Sequence, residues 1–507
     1  MTPLVLKADP AMYAGIDTNS SWLRFACVGL DGVPRLVADA HDSELLTTRD
    51  IIHVSGNGVL VGNPVLDLIL EQPDLRIARE VFRNLSSANA ILVDLQSRHW
   101  FPDTLAAVVL KKLRRDYEAR FDASLQRCAI SVSPQIPAAA QDSLLQAARL
   151  AGLHEVTLIP SAVAVVAGSQ VHQNSGELNL LVCDVGRDQV TVSVVTVSRG
   201  RLRLVAFERS AEVTLNTVHD AVREAVTGQF RRQHRGYDPQ TDPAARWRLA
   251  HYIHQLSDKL LHASTSSVEQ SLLLGGRIQT VHVSQSEVAP ALQRLAMQIL
   301  SLSARAAVTA GLTASSIDTV LVANEGGSIP ALAGQLIQQF PSADPGQCGR
   351  LRPADLAAYG AALLAQDPDI TQDWLTTLDT HPSVLESGIG VLGRRADGTA
   401  SIETLLDAGA PSPWRATKTF YRSSPNQVTT VLTIVALDPV KSEPVPVGRT
   451  ELRFATDSVT IELDVAITGE VVVTRPEGSV TVGNLPNAGH FLPPSQIDLF
   501  NMIQILN

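Results

Sequence analysis

Lysine is the residue that this sequence most clearly lacks. Only six of the 507 residues are lysine, so arginine supplies nearly all of the positive charge. Lys and Arg together number 41 against 51 Asp and Glu, and the formal net charge is -10. Because no basic excess is present to displace counterions from phosphate backbones, general nucleic-acid binding is excluded. Any chemistry that needs a lysine has few positions at which to place one.

Cysteine and long apolar runs are also scarce. The four cysteines are Cys27, Cys128, Cys183 and Cys348. They form no CxxC pair and lie among apolar or small residues, so we expect buried free thiols rather than disulfides or a metal site. No stretch of about 18 residues is apolar enough to cross a bilayer, and the N-terminus has no visible signal peptide. The sequence therefore predicts a cytoplasmic protein with no membrane partner.

The residues that are present predict a folded chain. Apolar residues make up 45% of the sequence and charged residues 18%, which excludes a disordered protein. At about 150 residues per domain, the length allows about three folding units. Residues 12–368 alternate strand-like and helix-like runs, which predicts an α/β domain with a largely parallel sheet.

The composition and the apolar periodicity of the sequence change after residue 368. Residues 369–382 are polar and flanked by proline, which is typical of an interdomain linker. Residues 383–490 carry short β-branched runs and turn signals, which predict an all-β sandwich. The predicted strands span residues 384–392, 401–406, 428–437, 459–467 and 471–474. Residues 491–507 predict one short terminal helix.

Two strand–turn–strand units carry the first candidate chemistry. Gly15–Ser21 and Val182–Asp188 each place an aspartate, Asp17 or Asp184, at a strand end immediately before a tight polar turn. Such turns present backbone N–H groups and hydroxyls to phosphates, while the aspartate holds Mg²⁺ through water. Each turn alone is weak evidence for a phosphate site, since most turns of this composition bind no ligand. A Gly-Gly turn within Ala323–Leu332 strengthens the pair.

These segments and others follow one order along the chain. They are GIDTNSS, GVLVGNPVLDLILEQPDLRIAREVFRNL, CAISVSPQIPAAAQDSLLQAARLAGL with IPSAVAVVAG, VCDVGRDQVTVSVV, SIDTVLVANEGGSIPAL, RPADLAAYGAAL, SGIGVLGRRADGTASIETLLDAGAPSP and TIELDVAITGEVVVT. In that order they resemble the 70-kDa heat-shock chaperone family over nearly the whole chain. The resemblance implies an actin-like bilobed ATPase domain of the ribonuclease H-like type, followed by a β-sandwich substrate-binding domain.

The resemblance also implies ligands, partners and site residues. It implies ATP or ADP with Mg²⁺, a protein client or partner, and a J-domain co-chaperone. Asp17 and Asp184 match the two metal-water aspartates, and Arg79 stands at the catalytic lysine position. The other implied nucleotide contacts are Ser20, Ser21, Gly186, Gly326, Gly327, Asp258 and Lys259.

Several departures from the family pattern point away from fast hydrolysis. The connector glutamate is replaced by Ile159, and the threonine of the second phosphate turn by Gln189. Arg79 keeps the charge of the lysine but is bulkier and binds as a planar fork. Losing one positioned catalytic group commonly costs about 10²-fold in rate. The resemblance therefore implies a weak ATPase at most, and the alternative is that these are inert turns on an inherited fold.

The linker and terminus depart as well. Thr376 and Thr377 stand where the family linker has its central leucines, so we expect weakened coupling between the two domains. Residues 491–507 resemble only the first turns of the family's helical lid, which predicts a sandwich without a lid. The leading interpretation is a divergent chaperone-like protein. A pseudo-ATPase scaffold dedicated to one partner is the alternative, and a sugar kinase is disfavoured because the sandwich has no role in one.

Overall fold

A computed structural model provides the structure of this protein. It describes residues 13–19, 22–29, 31–40, 42, 44–56, 58–72, 74–87, 89–125, 127–171, 176–262, 266–324, 329, 332–345, 352–366, 388–394, 400–407, 414–437, 444–465, 470–484 and 494–506. Within these ranges no helix is both long and apolar enough to cross a membrane. Cys27, Cys128 and Cys183 are buried free thiols, as predicted, and Cys348 lies outside the described residues.

Residues 13–160 form the first half of the α/β region. Its strands are β1 (Tyr13–Asp17), β2 (Trp22–Val28), β3 (Pro34–Leu36), β4 (Thr48–Arg49), β5 (Ile51–Ser55), β6 (Gly58–Val61), β7 (Ala78–Arg79), β8 (Leu92–Val93), β9 (His99–Trp100), β10 (Arg127–Val132) and β11 (Glu155–Pro160). Its helices are α1 (Asn63–Glu71), α2 (Pro102–Phe121) and α3 (Ala138–Leu150). The main sheet has the order β11-β10-β1-β2-β3, and β4 also pairs with β2.

Residues 161–366 form the second half. Its strands are β12 (Leu178–Val185), β13 (Val190–Ser198), β14 (Arg201–Ser210), β15 (Ser267–Leu274), β16 (Arg277–Ser284), β17 (Thr319–Asn324) and β18 (Asp344–Pro345). Its helices are α4 (Ser161–Ser169), α5 (Leu215–Gln233), α6 (Pro243–His262), α7 (Gln285–Thr309), α8 (Leu332–Gln339) and α9 (Leu356–Gln366). The main sheet has the order β14-β13-β12-β17-β18, and β15 pairs with β16 as a separate hairpin.

The two halves repeat one topology. In the first half β1 is antiparallel to β2 and parallel to β10, and in the second half β12 is antiparallel to β13 and parallel to β17. The first turn begins at Thr18, and the second spans residues 186–189. Asp17 lies opposite Arg24 in the first hairpin, and Asp184 lies opposite Thr191 in the second. Each aspartate therefore occupies the same place in its half.

Glycines allow α4 and α9 to pack closely between the two sheets. A Cβ on Gly360 would lie 1.6 Å from the carbonyl oxygen of Ala164, and one on Gly168 would lie 2.1 Å from that of Leu356. On the other side of α9, a Cβ on Gly15 would lie 2.2 Å from the Ala362 nitrogen. Only a residue without a side chain permits this backbone approach. The packing brings the strand ends that carry Asp17 and Asp184 toward each other.

Residues 388–484 form two four-stranded sheets. The strands are β19 (Gly388–Arg394), β20 (Ala400–Leu406), β21 (Trp414–Tyr421), β22 (Thr429–Leu437), β23 (Val445–Arg453), β24 (Ser458–Val465), β25 (Glu470–Arg475) and β26 (Gly478–Asn484). The sheet orders are β20-β19-β22-β23 and β21-β24-β25-β26. A common core includes Ile389, Ile434, Leu452, Leu463 and Val473. The sequence predicts five of these strands and misses β21, β23 and β26, which have polar or proline-containing sequences.

The C-terminal residues return to the first half of the α/β region. Helix α10 (Pro494–Met502) contacts α2, and the short strand β27 (Gln504–Ile505) pairs in parallel with β6. The resulting small sheet has the order β27-β6-β5-β7. The predicted terminal helix is therefore present, and it packs on the α/β region. The predicted linker, 369–382, lies outside the described residues, and the domain boundaries stay predictions.

Candidate nucleotide site

Both halves of the α/β region line one cavity of about 330 Å³. The first half contributes Thr18, Asn19, Asp50, Glu80 and Arg83, among others. The second half contributes Asp184, Gly186, Arg187, Asp188, Gln189, Thr191 and Asn324, among others. The two polar turns identified in the sequence thus face the same space, although they are more than 160 positions apart in the chain.

Asp17 is completely buried at the end of β1. Its Oδ1 accepts hydrogen bonds from the Asn19 backbone nitrogen at 3.2 Å and from Asn19 Nδ2 at 3.1 Å. The same amide nitrogen donates to Ser131 Oγ at 3.0 Å, which fixes its orientation. Asp17 Oδ2 has no hydrogen-bond partner. Burial raises the pKa of Asp17, and the Arg24 charge and the Asn19 hydrogen bonds oppose this rise.

Asp184 occupies the equivalent position at the end of β12. Its Oδ1 accepts a hydrogen bond from Asn324 Nδ2, which β17 supplies, and Ser161 at the start of α4 also bonds the carboxylate. Burial raises the pKa of Asp184 to about 6, the negative charge of Asp17 adds to the rise, and the two hydrogen bonds oppose it. The charge of Asp17 is thus felt at Asp184, which lines the cavity, whereas Asp17 lies behind the lining residues Thr18 and Asn19.

This pair of carboxylates suits Mg²⁺ in its chemistry. Mg²⁺ prefers oxygen ligands and usually keeps several waters, with only one or two protein carboxylates beside substrate phosphates. The unpartnered Asp17 Oδ2 and the neighbouring Asp184 supply those oxygens. Across the described residues no group of three or more His, Cys, Asp or Glu side chains is arranged to hold a metal ion by itself. A cation here would therefore depend on water and phosphate for the rest of its shell.

The second turn is built around Gly186. Its N–H donates to the Gln189 carbonyl at 2.9 Å, and a Cβ at Gly186 would lie 2.9 Å from the same oxygen. The Gln189 side chain donates to Thr191 Oγ1 at 2.8 Å. Gln189 is thus held back against its own hairpin, and its amide is engaged with the neighbouring strand.

The two arginines of the β7 region lie in different places. The Arg79 guanidinium lies over the Trp247 ring of α6, 4.8 Å from its centroid, and Arg79 is exposed. Arg83 lines the cavity, and its Nη1 lies 3.3 Å from Asp188 Oδ2 in the second turn. Arg83 therefore joins the first half to the second turn across the cavity, whereas Arg79 contacts a helix.

A stack of side chains joins the halves a second time. The Trp22 and His254 rings are stacked with their centroids 5.4 Å apart. The Arg49 guanidinium lies over the Trp22 ring, 3.9 Å from its centroid. Arg187 Nη2 approaches the His254 ring nitrogens at 3.1 and 3.2 Å, and His219 packs edge-on against that ring. Burial, then the Arg187 charge, lowers the pKa of His254 to about 2 and that of His219 to about 3. Both histidines are therefore neutral at physiological pH.

The remaining predicted residues are placed as follows. Lys259 is exposed on α6 and donates to Gln270 Oε1 at 2.9 Å on β15. Asp258 lies one turn after His254, with Oδ2 3.9 Å from His254 Nε2. Ser20, Ser21, Gly326 and Gly327 lie outside the described residues. Gly186 alone of the predicted nucleotide contacts lies in the described part of the cavity lining.

Ile159 lies in the core at the end of β11. It is fully buried and belongs to the apolar cluster that surrounds α4. The position is therefore filled by an apolar side chain, and it offers no oxygen to a metal or a water molecule.

Sequence reasoning missed Asp50, Arg83 and His254. Asp50 is buried against the 3₁₀ turn Phe82–Asn84, its Oδ1 has no hydrogen-bond partner, and burial raises its pKa to about 7. Arg83 follows Arg79 by four positions on the same short segment, and the family resemblance pointed to Arg79 rather than to Arg83. His254 lies four residues before Asp258 on the helix that was identified, and a one-turn shift of register would have found it.

Comparison with known proteins agrees with this architecture. Residues 60–410 match the family model described as Hsp70 protein. A chaperone protein DnaK from Thermotoga neapolitana is 20% identical over 357 residues, which cover 69% of this chain and 58% of that protein. The DnaK of Thermotoga petrophila shows the same identity and coverage. The chain thus spans about 58% of the length of the curated relatives it matches.

These findings confirm the resemblance and the fold class predicted from the sequence. The repeated α/β halves form an actin-like bilobed ATPase domain, and a β-sandwich follows it. The family model covers well over half of the residues. The chain belongs to the Hsp70 protein family.

Proposed function

We propose that this protein is a chaperone-like member of its family that binds adenine nucleotide with Mg²⁺ and hydrolyses it slowly. The nucleotide occupies the cavity between the two polar turns, and the β-sandwich binds a protein client or partner. A J-domain co-chaperone and a cytoplasmic location are further expectations that the family resemblance implies.

The unpartnered Asp17 Oδ2 carries the binding part of the proposal. A fully buried carboxylate oxygen without a hydrogen bond costs free energy unless a ligand satisfies it. A hydrated Mg²⁺ beside Asp17 and Asp184 would supply that partner and relieve the repulsion between the two charges. Members of this family generally bind ATP or ADP with Mg²⁺, and that chemistry agrees with an all-oxygen site.

Positive charge for the phosphates comes from Arg83 and Arg187 in this interpretation. Both line the cavity, whereas Arg79 contacts Trp247. Arg83 already reaches the second turn at Asp188, so a phosphate would compete with that carboxylate for its guanidinium. An arginine binds phosphate as a planar fork, which suits nucleotide binding but does not reproduce the compact charge of a lysine.

We expect slow hydrolysis because two positions of the family pattern do not supply the catalytic groups that the pattern places there. Ile159 offers no carboxylate, and the Gln189 amide is held by Thr191. Neither position then supplies a free catalytic group for water activation, and losing such a group commonly lowers turnover by about 10²-fold or more. We expect binding to survive because it depends on oxygens and charges that are present.

Isothermal titration with ATP and ADP, with and without Mg²⁺, tests this proposal. We expect binding that needs Mg²⁺ and that weakens by at least about tenfold in Asp17→Asn, since a neutral amide cannot compensate the cation. Lys259→Gln is the matched control, because Lys259 faces β15, and its affinity should equal that of the wild type. Absence of Mg²⁺-dependent heat in the wild-type protein would refute nucleotide binding.

Turnover is tested separately. Single-turnover hydrolysis in the wild-type protein should be far slower than in a relative that retains the connector glutamate and the lysine. Hydrolysis at a comparable rate would refute the slow-turnover part and leave the binding part standing. Ile159→Glu is a poor rescue variant, because it would bury a carboxylate in the cluster around α4.

The alternative function is a pseudo-ATPase scaffold for one protein partner. The stack of Trp22, His254 and Arg187 favours it, because these side chains join the two halves through direct contacts with each other. A scaffold would bind one partner tightly and show no response to nucleotide. A chaperone would instead bind many unrelated extended peptides through its sandwich, so a peptide array with and without Mg-ATP separates the two functions.

A further inference from the structure

Residues 494–506, which we call the tail, make both apolar and hydrogen-bonded contacts with the first half of the α/β region. Phe500, Ile503 and Ile505 are buried and belong to the same apolar core as Val59 of β6 and Leu105 of α2. A tail that merely lay on the surface would leave these three side chains in water. The tail is instead part of the core of that half.

Polar contacts fix the tail in register. Gln496 is buried, its Oε1 accepts from Thr104 Oγ1 at 2.8 Å, and its Nε2 donates to the His99 carbonyl at 2.8 Å. Further along, the Leu506 N–H donates to the Val59 carbonyl at 2.8 Å, and Arg115 Nη1 donates to the Ile505 carbonyl at 3.1 Å. Both ends of the tail are therefore hydrogen-bonded to the domain.

The edge of β6 is shaped for this segment. A Cβ on Gly58 would lie 2.4 Å from Leu506 Cδ1, so the absence of a side chain at Gly58 makes the room that Leu506 occupies. Without β27, strand β6 would present an unpaired edge. The tail pairs with that edge of β6, and the lack of a side chain at Gly58 leaves room for Leu506.

The sheet that receives the tail leads to the cavity. Its order is β27-β6-β5-β7, and β7 is followed directly by Glu80 and Arg83, which line the cavity. Asp50, which precedes β5, lines it as well. The tail therefore completes one edge of a sheet whose other edge carries cavity residues.

We propose that the tail is a strap that fastens the far end of the β-sandwich to the first half of the α/β domain in the same molecule. The sandwich is then attached to that domain at both of its ends. From Asn484 to Pro494 an extended chain spans at most about 36 Å, and from Gln366 to Gly388 at most about 80 Å, at roughly 3.6 Å per residue. The docked strap thus limits the sandwich to about half the separation that its N-terminal connection would allow. This inference does not depend on nucleotide binding.

Hydrogen exchange on the full chain tests docking with a matched pair of variants. Ile505 is buried and Gln504 beside it is exposed, so Ile505→Asp and Gln504→Asp introduce the same charge on opposite faces of β27. We expect Ile505→Asp to speed exchange in the tail and in β6 by about tenfold or more, while Gln504→Asp exchanges like the wild type. Peptides from β12 and β13 should be unchanged in both variants, which shows that the second half keeps its fold.

Gly58→Leu gives an independent way to release the strap without altering it. The new side chain would occupy the space of Leu506, so we expect the same faster exchange of the tail as in Ile505→Asp. Tail exchange that is already as fast as an unstructured peptide in the wild-type protein would overturn the proposal. Equal exchange in Ile505→Asp and Gln504→Asp would also overturn it.

A distance measurement tests the consequence for the sandwich. Leu95 and Tyr421 are exposed on the first half and on the sandwich, so cysteines at both positions accept spin labels, with Cys348→Ser removing a native thiol. We expect the distance distribution to broaden toward longer values in Ile505→Asp and to remain narrow in Gln504→Asp. Unchanged distributions would refute the strap. A wild-type dimer that dissociates on Ile505→Asp would show that the tail docks on a second copy instead.

Discussion

The β1–β2 hairpin and the β12–β13 hairpin have the same backbone design but hold their aspartates differently. Each aspartate accepts an asparagine amide, from Asn19 within the turn in the first hairpin and from Asn324 on a neighbouring strand in the second. Opposite Asp17 lies a cation, Arg24, whereas opposite Asp184 lies the neutral Thr191. Arg24 also forms an ion pair with the buried Asp355 of the second half, in which Arg24 Nε lies 3.0 Å from Asp355 Oδ1.

This difference shows that a repeated topology fixes the place of a group but not its charge state. Asp17 is fully buried and Asp184 is partly buried, and desolvation raises both pKa values. In the first half the positive charge of Arg24 opposes this effect, whereas in the second half the opposing groups are neutral hydrogen-bond donors. Two sites that one fold makes alike can therefore respond differently to pH and to mutation.

The largest expected effect comes from removing the cation of the first hairpin. Arg24→Ala leaves Asp355 with Arg352 as its remaining ionic partner, and it leaves Asp17 without the opposing charge. Breaking a buried ion pair costs about 3–5 kcal/mol, and we expect the lower end because Arg352 remains. Urea unfolding measures the loss. A cost below that of Thr191→Val, the equivalent change in the second hairpin, would contradict the comparison.

The next effect concerns His254, where the two hairpins meet. Burial and Arg187 keep His254 neutral in the folded protein, with its pKa lowered from 6.5 to about 2, so only the unfolded chain takes up a proton below pH 6.5. Stability is therefore lost as the pH falls, by about 2 kcal/mol between pH 7 and pH 5 for this group. His254→Gln should reduce the pH dependence of the unfolding free energy by that amount. An unchanged pH dependence would show that His254 takes up a proton in the native state as readily as in the unfolded chain.

Asp184→Asn should change the pH dependence in the opposite direction. The pKa of Asp184 is raised from 3.8 to about 6, so the folded protein takes up a proton more readily than the unfolded chain. The wild type should gain roughly 1.5 kcal/mol relative to this variant between pH 7 and pH 5 and lose it again as the pH rises through 6. Urea unfolding at the two pH values checks the sign. The reverse sign would mean that an additional positive charge faces Asp184.

The smallest expected effect is that of Thr191→Val. It removes the acceptor of the Gln189 amide in the second turn, next to a cavity where water can replace the lost hydrogen bond. We expect a loss of about 0.5–1 kcal/mol in the unfolding free energy. Gln189→Ala should cost a similar amount, since both changes break the same bond. A much larger loss in either variant would show that the second turn depends on this contact for its shape.

Much of the fold was predictable because its signals are local. Alternation of strand and helix periods indicated the α/β region, and Gly186 and Gly200 marked the turns between β12, β13 and β14. The strands β21 and β23 escaped prediction because their alternating polar residues, Pro446 and Gly448 weaken the local pattern. Packing against the opposite sheet stabilises these strands, and a single sequence does not show that packing.

The candidate site was predictable only in part. Asp17 and Asp184 were identifiable because each stands at a strand end before a polar turn, and the structure brings them close enough to interact. The choice between Arg79 and Arg83 was not, because it depends on where the 3₁₀ turn Phe82–Asn84 directs each side chain. The resemblance made Arg79 the expected cation, but no local pattern indicated that Arg83 would line the cavity.

By itself the sequence determined the order of the domains, the two aspartate turns and the membership of the Hsp70 family, because all three depend on patterns of neighbouring residues. The tertiary structure alone decided that Arg24 pairs with Asp355, that Arg187 meets His254, and that the tail lies on β6. Arg24 and Asp355 are 331 positions apart, and Arg115 and Ile505 are 390 positions apart. Contacts at such separations form only when several helices and strands pack together, so no local sequence pattern predicts them.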